Sequence, residues 1–233
     1  LLEKDQVLSA KVLRLANSPF YGFPSRIASV AHAVVVLGLN VVKGLTLCAT
    51  AFDMMRNAGM NELWRHSLGV AMTAHILGTK AAMKNPEEVF VAGLLHDIGK
   101  VVLYVKWPDV GQQITTVTRN TSRPLMDTEQ ELFEVTHADV GGWLASAWHL
   151  PTSLREPILH HHTPAAAQDA KLQTAIVHVA AVSVKGLACG NPGDNLVPPL
   201  SRPAWDLVGL DAQSLAHCLA QATEEFQTID DYL

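Results

Sequence analysis

Apolar residues recur at three and four positions along almost the whole chain, and this constrains the fold more than any other feature. Leu8, Val12 and Leu15 show the spacing, as do Leu63, Ser67, Val70, Ala74, Leu77 and Ala81. That period places one face of a helix against a core, whereas the alternation expected of a half-buried strand is scarce. The chain is therefore expected to be all-α. Start signals agree: Ser29 precedes AHAVVVL, Asn61 and Glu62 precede LWRHSLGV, Asn85 and Pro86 precede EEVFVAGLL, Thr136 precedes HADVGGWL, and Asp211 precedes AQSLAHCL.

Stop signals are equally legible. Gly38 follows one apolar stretch, Asn17-Ser18-Pro19 ends the first helix, and Pro151 closes SAWHL. Together they punctuate ten or more helices. The β-branched runs Val34–Val36 and Val101–Val105 favour strand locally, but both lie inside longer helical patterns and are read as buried helix. Cys189 to Trp205 concentrates Gly, Pro, Asn and Asp and is read as a loop before the last helix. A composition change near Asn57–Gly59 suggests a border between a His-poor part, 1–57, and a His-rich part, 58–233.

Composition limits the function classes. With 48% apolar residues in 233 the chain has ample material for a core, and a net charge of −5 argues against a surface that neutralises many phosphates of a nucleic acid. Cys48, Cys189 and Cys218 are odd in number and widely spaced, which fits neither a disulfide framework nor a zinc ribbon and suggests a reducing, cytoplasmic setting. No apolar run approaches the roughly 20 residues of a membrane span. The chain begins at Leu1 rather than Met, so it is expected to be part of a longer protein.

Eleven histidines are many for this length, and His137, His149, His160, His161, His162 and His178 crowd the second half. Neutral imidazole and carboxylate are the usual ligands of Zn, Mn, Fe or Ni, and a helical protein must bring them together from several elements. His66, His96, Asp97, His137 and the triplet His160–His162 are the candidates. His66 lies among Leu63, Val70 and Leu77, and His96 follows Leu94 and Leu95, so both imidazoles are expected to point inward. His96 and Asp97 diverge by about 100° on a regular helix and can share an ion only at a terminus or a bend, which Gly99 could permit.

Each residue also has a plainer reading. His66 could be a hydrogen-bonded core histidine, His137 part of a helix cap, the triplet a solvated helix end, and Lys100 a cation compensating a helix dipole. Trp64, Trp143 and Trp148 occur at helical positions among Ala and Leu, which indicates packing. NSPFYGF, 17–23, reads as a buried turn, and EEFQTIDDYL, 224–233, is acidic where the helix dipole disfavours it. No P-loop, serine-hydrolase elbow or dinucleotide fingerprint occurs.

The order of segments LSAKVLRLANSPFYG, IASVAHAVVVLG, ELWRHSLGVA, GLLHDIGK, THADVGGWLASAWHLP and ILHHHTP resembles the HDOD domain, an HD-related output domain of bacterial signalling proteins. The resemblance covers roughly 8–164. It implies a bundle of HD-domain type preceded by an N-terminal helical subdomain, in a cytoplasmic regulatory protein that works with signalling proteins or fused signalling domains. It carries the ligands of the wider HD superfamily of metal-dependent phosphohydrolases onto His66, His96, Asp97, His137, His161 and His162, for one or two divalent metal ions. Lys100 falls where that superfamily often places a phosphate-facing lysine, so Asp97 and Lys100 would serve catalysis if the protein hydrolyses a phosphorylated small ligand.

Two departures bear on that choice. The superfamily's last ligand is an Asp, but Ala181 stands at the corresponding position of IVHVAAVSV, with His178 one turn before it as a conceivable substitute. The histidine pair runs into TPAAAQDAKLQ, without the Glu and Gly-Tyr-Pro of the HD-GYP cyclic-di-GMP phosphodiesterases. The expectation is a regulatory module with a metal-binding site, and the alternative is an active metal-dependent phosphohydrolase.

Overall fold

The computed structural model describes residues 5–17, 26–121 and 123–227. These form α1 (Gln6–Ala16), α2 (Val30–Leu37), α3 (Leu39–Asn57), α4 (Asn61–Lys80), α5 (Pro86–Leu95), α6 (Ile98–Lys106), α7 (Pro108–Thr121), α8 (Leu125–Phe133), α9 (His137–Ala147), α10 (Thr152–His160), α11 (Lys171–Gly186), α12 (Arg202–Val208) and α13 (Ala212–Gln227). No strand occurs among the described residues. The β-branched runs lie within α2 and α6 rather than in strands; Val101 is buried, but Val35 is 83% and Val36 42% exposed, so the run in α2 is helical without being buried as expected. No described helix is long and apolar enough to cross a membrane.

Several helix ends follow the sequence signals. The side chains of Ser29, Thr136 and Asp211 accept from the backbone N–H of His32, Asp139 and Ser214, satisfying donors that the first helical turn leaves free. At Thr136 the cap is reciprocal, because Asp139 accepts from the Thr136 N–H in return. Asn85 precedes Pro86 as expected, although its side chain forms no cap bond. Asn61 is not the cap of α4: it is already helical, Met60 precedes it, and no side chain caps that end. The N-terminus of α4 depends on packing instead.

The loop expected from Cys189 to Trp205 is shorter than the composition suggests, because α12 begins at Arg202 with Ser201 as its cap and Pro203 in the first turn. Pro151 does not end α9, which stops at Ala147; it precedes α10. Of NSPFYGF only Asn17 is described, and its side chain both donates to the Ile27 carbonyl and accepts from the Ile27 N–H. Positions 228–233 of the acidic C-terminal segment likewise lie outside the described residues.

α4 is the central helix, packed by α3, α5, α11 and α13, with Leu77 and Val70 fully enclosed. Each fully buried Leu or Val stabilises the fold by about 1.5–3 kcal/mol relative to exposure. α5 crosses α4 closely because Gly93 has no side chain: a Cβ there would lie 2.7 Å from the Ala71 Cα. One hydrophobic cluster runs from Val12 on α1 to Ala222 on α13, spanning the end of α3 at Asn57 where a border was expected. Trp64 is buried and Trp148 half-buried, but Trp143 is 60% exposed, contrary to its helical spacing. On α9 the inward face belongs to Gly141, Gly142 and Ala145, which leaves position 143 outside.

Candidate metal centre

GLLHDIGK spans a junction between two helices. α5 ends at Leu95, His96 is its cap, and Asp97 precedes the first residue of α6. This terminus allows His96 and Asp97 to face one centre. Gly99 is not the bend; it allows α6 to lie against the start of α9, since a Cβ there would fall 1.9 Å from the His137 carbonyl oxygen. That close approach brings Asp97 and His137 together.

The six expected residues converge. The Asp97 carboxylate lies between the imidazoles: its Oδ2 is 3.3 Å from His96 Nε2, while its Oδ1 is 3.2 Å from His137 Nε2 and 3.7 Å from His161 Nε2. His162 Nε2 is 3.0 Å from His137 Nε2, and the His66 ring centroid is 5.5 Å from that of His96. Two groups of donor atoms fall within 4.8 Å of one another: His66, His96 and Asp97, and His137, His161 and His162. His66, His96, Asp97, His137 and His161 are each no more than 2% exposed. Burial excludes a solvated helix end for His161, and His66 lies in the core and within the same group as His96 and Asp97.

Hydrogen bonds orient the rings. His96 Nδ1 lies 2.7 Å from the Gly93 carbonyl and His161 Nδ1 2.9 Å from the Ile158 carbonyl. A carbonyl only accepts, so in the neutral rings Nδ1 carries the proton and Nε2 keeps its lone pair for the centre. His178 does not replace a missing ligand: its Nδ1 is bound to the His161 carbonyl, and its Nε2 accepts from the Ser201 N–H. Both nitrogens are committed to holding the end of α10 and the start of α12. His160 is half-buried and is not among the grouped ligand atoms.

Lys100 does not compensate a helix C-terminus, since it lies in the first turn of α6, where the dipole disfavours a cation. It is 5% exposed and donates to Asp97 Oδ2 at 2.8 Å. Burial alone would raise the Asp97 pKa, but His96, Lys100 and His137 outweigh it and hold the carboxyl well below its ordinary range. Burial, then His96, pushes His66 down to about 3, and burial with neighbouring histidines holds His161 and His162 well below the usual value. These imidazoles are neutral near pH 7, the form that ligates metal.

Glu129 was not singled out from the sequence. It is fully buried on α8, and its Oε2 accepts from the His137 backbone N–H at 2.8 Å and lies 2.6 Å from His137 Nδ1. Burial disfavours the charged His137, but Glu129 and Asp97 prevail and its pKa is raised. A signal was present: Glu129 is four residues from both Leu125 and Phe133, a carboxylate within the apolar stripe of an amphipathic helix.

The donor set suits a divalent cation. Asp97 Oδ1 and His161 Nε2 are buried without hydrogen-bond partners, an arrangement that costs free energy unless a further group engages them. Imidazole nitrogens with one carboxylate match the preferences of Zn, Fe, Mn or Ni, leaving the identity of the ion open.

The comparisons with known proteins agree with this architecture. The HDOD domain family model matches residues 1–164, and the chain belongs to that family. An HDOD domain protein of unknown function from Geobacter sulfurreducens is 29% identical and superposes with a TM-score of 0.76, over 99% of this chain and 83% of that one. The MmoQ response regulator of Methylococcus capsulatus shares the fold at 23% identity and a TM-score of 0.56, over 94% of this chain and 86% of its own. An uncharacterised protein of Treponema pallidum (strain Nichols) is 25% identical over 84% of this chain, which spans only 39% of that relative's length.

Proposed function

We propose that this chain is a regulatory output module of bacterial signal transduction that binds divalent metal at the His/Asp centre and acts through protein contact. The observation that carries the reading is the convergence of His66, His96, Asp97, His137, His161 and His162, with five of the six no more than 2% exposed. A phosphoester must reach a metal to be hydrolysed, and this enclosure favours holding an ion over turning over a substrate. Ala181, where the HD superfamily has a carboxylate, supports the same direction. We read 1–57 as the helical part that precedes the HD-like bundle, and the cytoplasm as the compartment, with signalling proteins or fused signalling domains as partners.

The second reading, a metal-dependent phosphohydrolase, is favoured by the buried Lys100 beside Asp97. In it Asp97 and the five histidines hold the metal, which supplies Lewis acidity and an activated water when bound, and Lys100 steadies a phosphate. One experiment separates the two. Protein purified without a histidine tag is analysed for metal and assayed against p-nitrophenyl phosphate, nucleotides and cyclic dinucleotides. Bound metal with no turnover above the free ion is the expected result; substantial turnover that disappears in Asp97→Ala establishes the hydrolase.

A further inference from the structure

We infer that residues 189–201 form a hinged cover over the His/Asp centre, latched by Asp194, and that its local opening admits solutes to the enclosed side chains. For metal entry the inference rests on the metal-binding reading above; the cover itself needs the centre only as a buried cluster. The segment has a foot on each of two ligand-bearing elements. At its start, the Cys189 backbone faces the His66 imidazole, and Gly190 lies so close to α4 that a Cβ there would fall 2.4 Å from the His66 backbone nitrogen. The Asn191 N–H donates to the Glu62 carbonyl of the same helix. At its end, the Ser201 N–H donates to His178 Nε2, and the other nitrogen of that ring holds the His161 carbonyl.

Between these feet one carboxylate fastens the segment. Asp194 accepts from the Lys185 ammonium on α11, from the Leu125 N–H at 2.9 Å, and from the Leu196 N–H within the cover. Leu125 opens α8, the helix whose Glu129 holds His137, and Lys185 is near enough to Lys100 and Asp97 for their charges to act on it. The latch therefore ties the cover to two helices that border the centre.

Burial decides which covering opens most readily. From 189 to 201 only Pro192 is buried, while Leu196, Val197 and Leu200 are exposed, so polar contacts rather than apolar area hold the segment. The connection that follows His162, 163–170, buries Pro164, Ala167 and Ala170 over a shorter span and fixes the N–H groups of Gln168, Asp169 and Ala170 on the Glu156 carboxylate. Segments with few buried apolar contacts open at the lowest cost. Positive φ angles at Ala188, Gly190 and Gly193 place the hinge at the α11 end of the cover.

Labelling of the metal-free native protein tests this, with diethyl pyrocarbonate for imidazoles, a thiol reagent for cysteines, and peptide masses to locate both. Half-buried Cys189 packs its Sγ over Gly69 and reports the cover, whereas Cys48 and Cys218 are buried in the core and report global unfolding. Asp194→Ala should speed labelling of His66 and Cys189 by about tenfold or more, the scale of one lost charge-assisted hydrogen bond, and leave Cys48 and Cys218 unchanged. Lys185→Met should act in the same way. The native chain gives a readout free of any variant: in rising urea, His66 and Cys189 should label together and before Cys48 and Cys218. Faster labelling of Cys189 with His66 unaltered, or labelling of all four positions together, would overturn the inference. Zinc entry followed by stopped flow should speed in Asp194→Ala by a larger factor than the equilibrium affinity changes; weaker binding without faster entry would make Asp194 a support of the site and not a latch. If the native chain binds no zinc, the metal-binding reading fails, whereas the cover stands or falls on the labelling.

Discussion

Two helix ends deliver histidines to the centre by the same local device and are secured in different ways. At the end of α5, His96 turns its Nδ1 back to the Gly93 carbonyl; at the end of α10, His161 does the same to the Ile158 carbonyl. Each ring thus fixes its own tautomer three residues from its partner. The onward path of the chain differs between them. After His96 the chain enters α6 at once, clamped where Gly99 meets the His137 carbonyl. After His161 it leaves through His162 to Thr163 and Pro164, and the carbonyl of His161 is caught by His178 from α11. The first end is held by close backbone packing, the second by one side chain seventeen residues away in sequence. The same ligand geometry can therefore have quite different tolerance to change.

Acid should give the largest effect, and it loads the histidines of both ends. The unfolded chain takes up protons as pH falls below about 6.5, whereas folded His161 and His66 stay neutral because burial lowers their pKa values. The unfolded state then binds more protons, so stability falls with pH. Between pH 7 and 5 the His66 imidazole, with its folded pKa of about 3, costs about 2 kcal/mol, and His161 and His162 act in the same direction. His137 acts oppositely: its raised pKa gives a contribution present below about 6.5 and lost as pH rises through the folded value. Urea unfolding of metal-free protein across this range measures the balance, and a flat profile would contradict the assignment.

Gly99→Ala attacks the first end. A methyl 1.9 Å from a backbone oxygen forces α6 and α9 apart, with an expected cost of about 3 kcal/mol, the upper end of ordinary overpacking. Metal affinity should fall with stability, because Asp97 and His137 separate. His178→Ala attacks the second end. It leaves the His161 carbonyl and the Ser201 N–H without their partner, costing about 2 kcal/mol. The contrast is sharpest if His178→Ala lowers zinc affinity while hydrogen exchange in α5 and α6 is unchanged. Faster exchange in α5 and α6 would mean that the two ends are not secured separately, and unaltered affinity that His178 does not support His161. Thr136→Ala should have the smallest effect, about 1 kcal/mol in a denaturation midpoint, since Asp139 loses one side of a reciprocal cap.

Much of the architecture was legible in the sequence because it depends on local periodicity and capping chemistry. The 3.6-residue pattern determined an all-helical chain, and Ser29, Thr136 and Asp211 marked helix starts through side chains that accept nearby N–H groups. The ordered His and Asp motifs selected the six residues that meet at the centre. Where periodicity was followed too literally it misplaced Trp143, because a glycine-rich face of α9 turned inward instead.

Only the tertiary structure decided how those six residues are used. The partners of Asp97 come from α5, α6, α9 and the end of α10, and its two oxygens differ because Lys100 reaches one of them. Glu129 and His178 act across helix contacts that sequence spacing does not encode. The physical reason is range: helix formation and capping are settled within about four residues, whereas the charge, tautomer and hydrogen bonding of a buried centre depend on what distant segments bring against it.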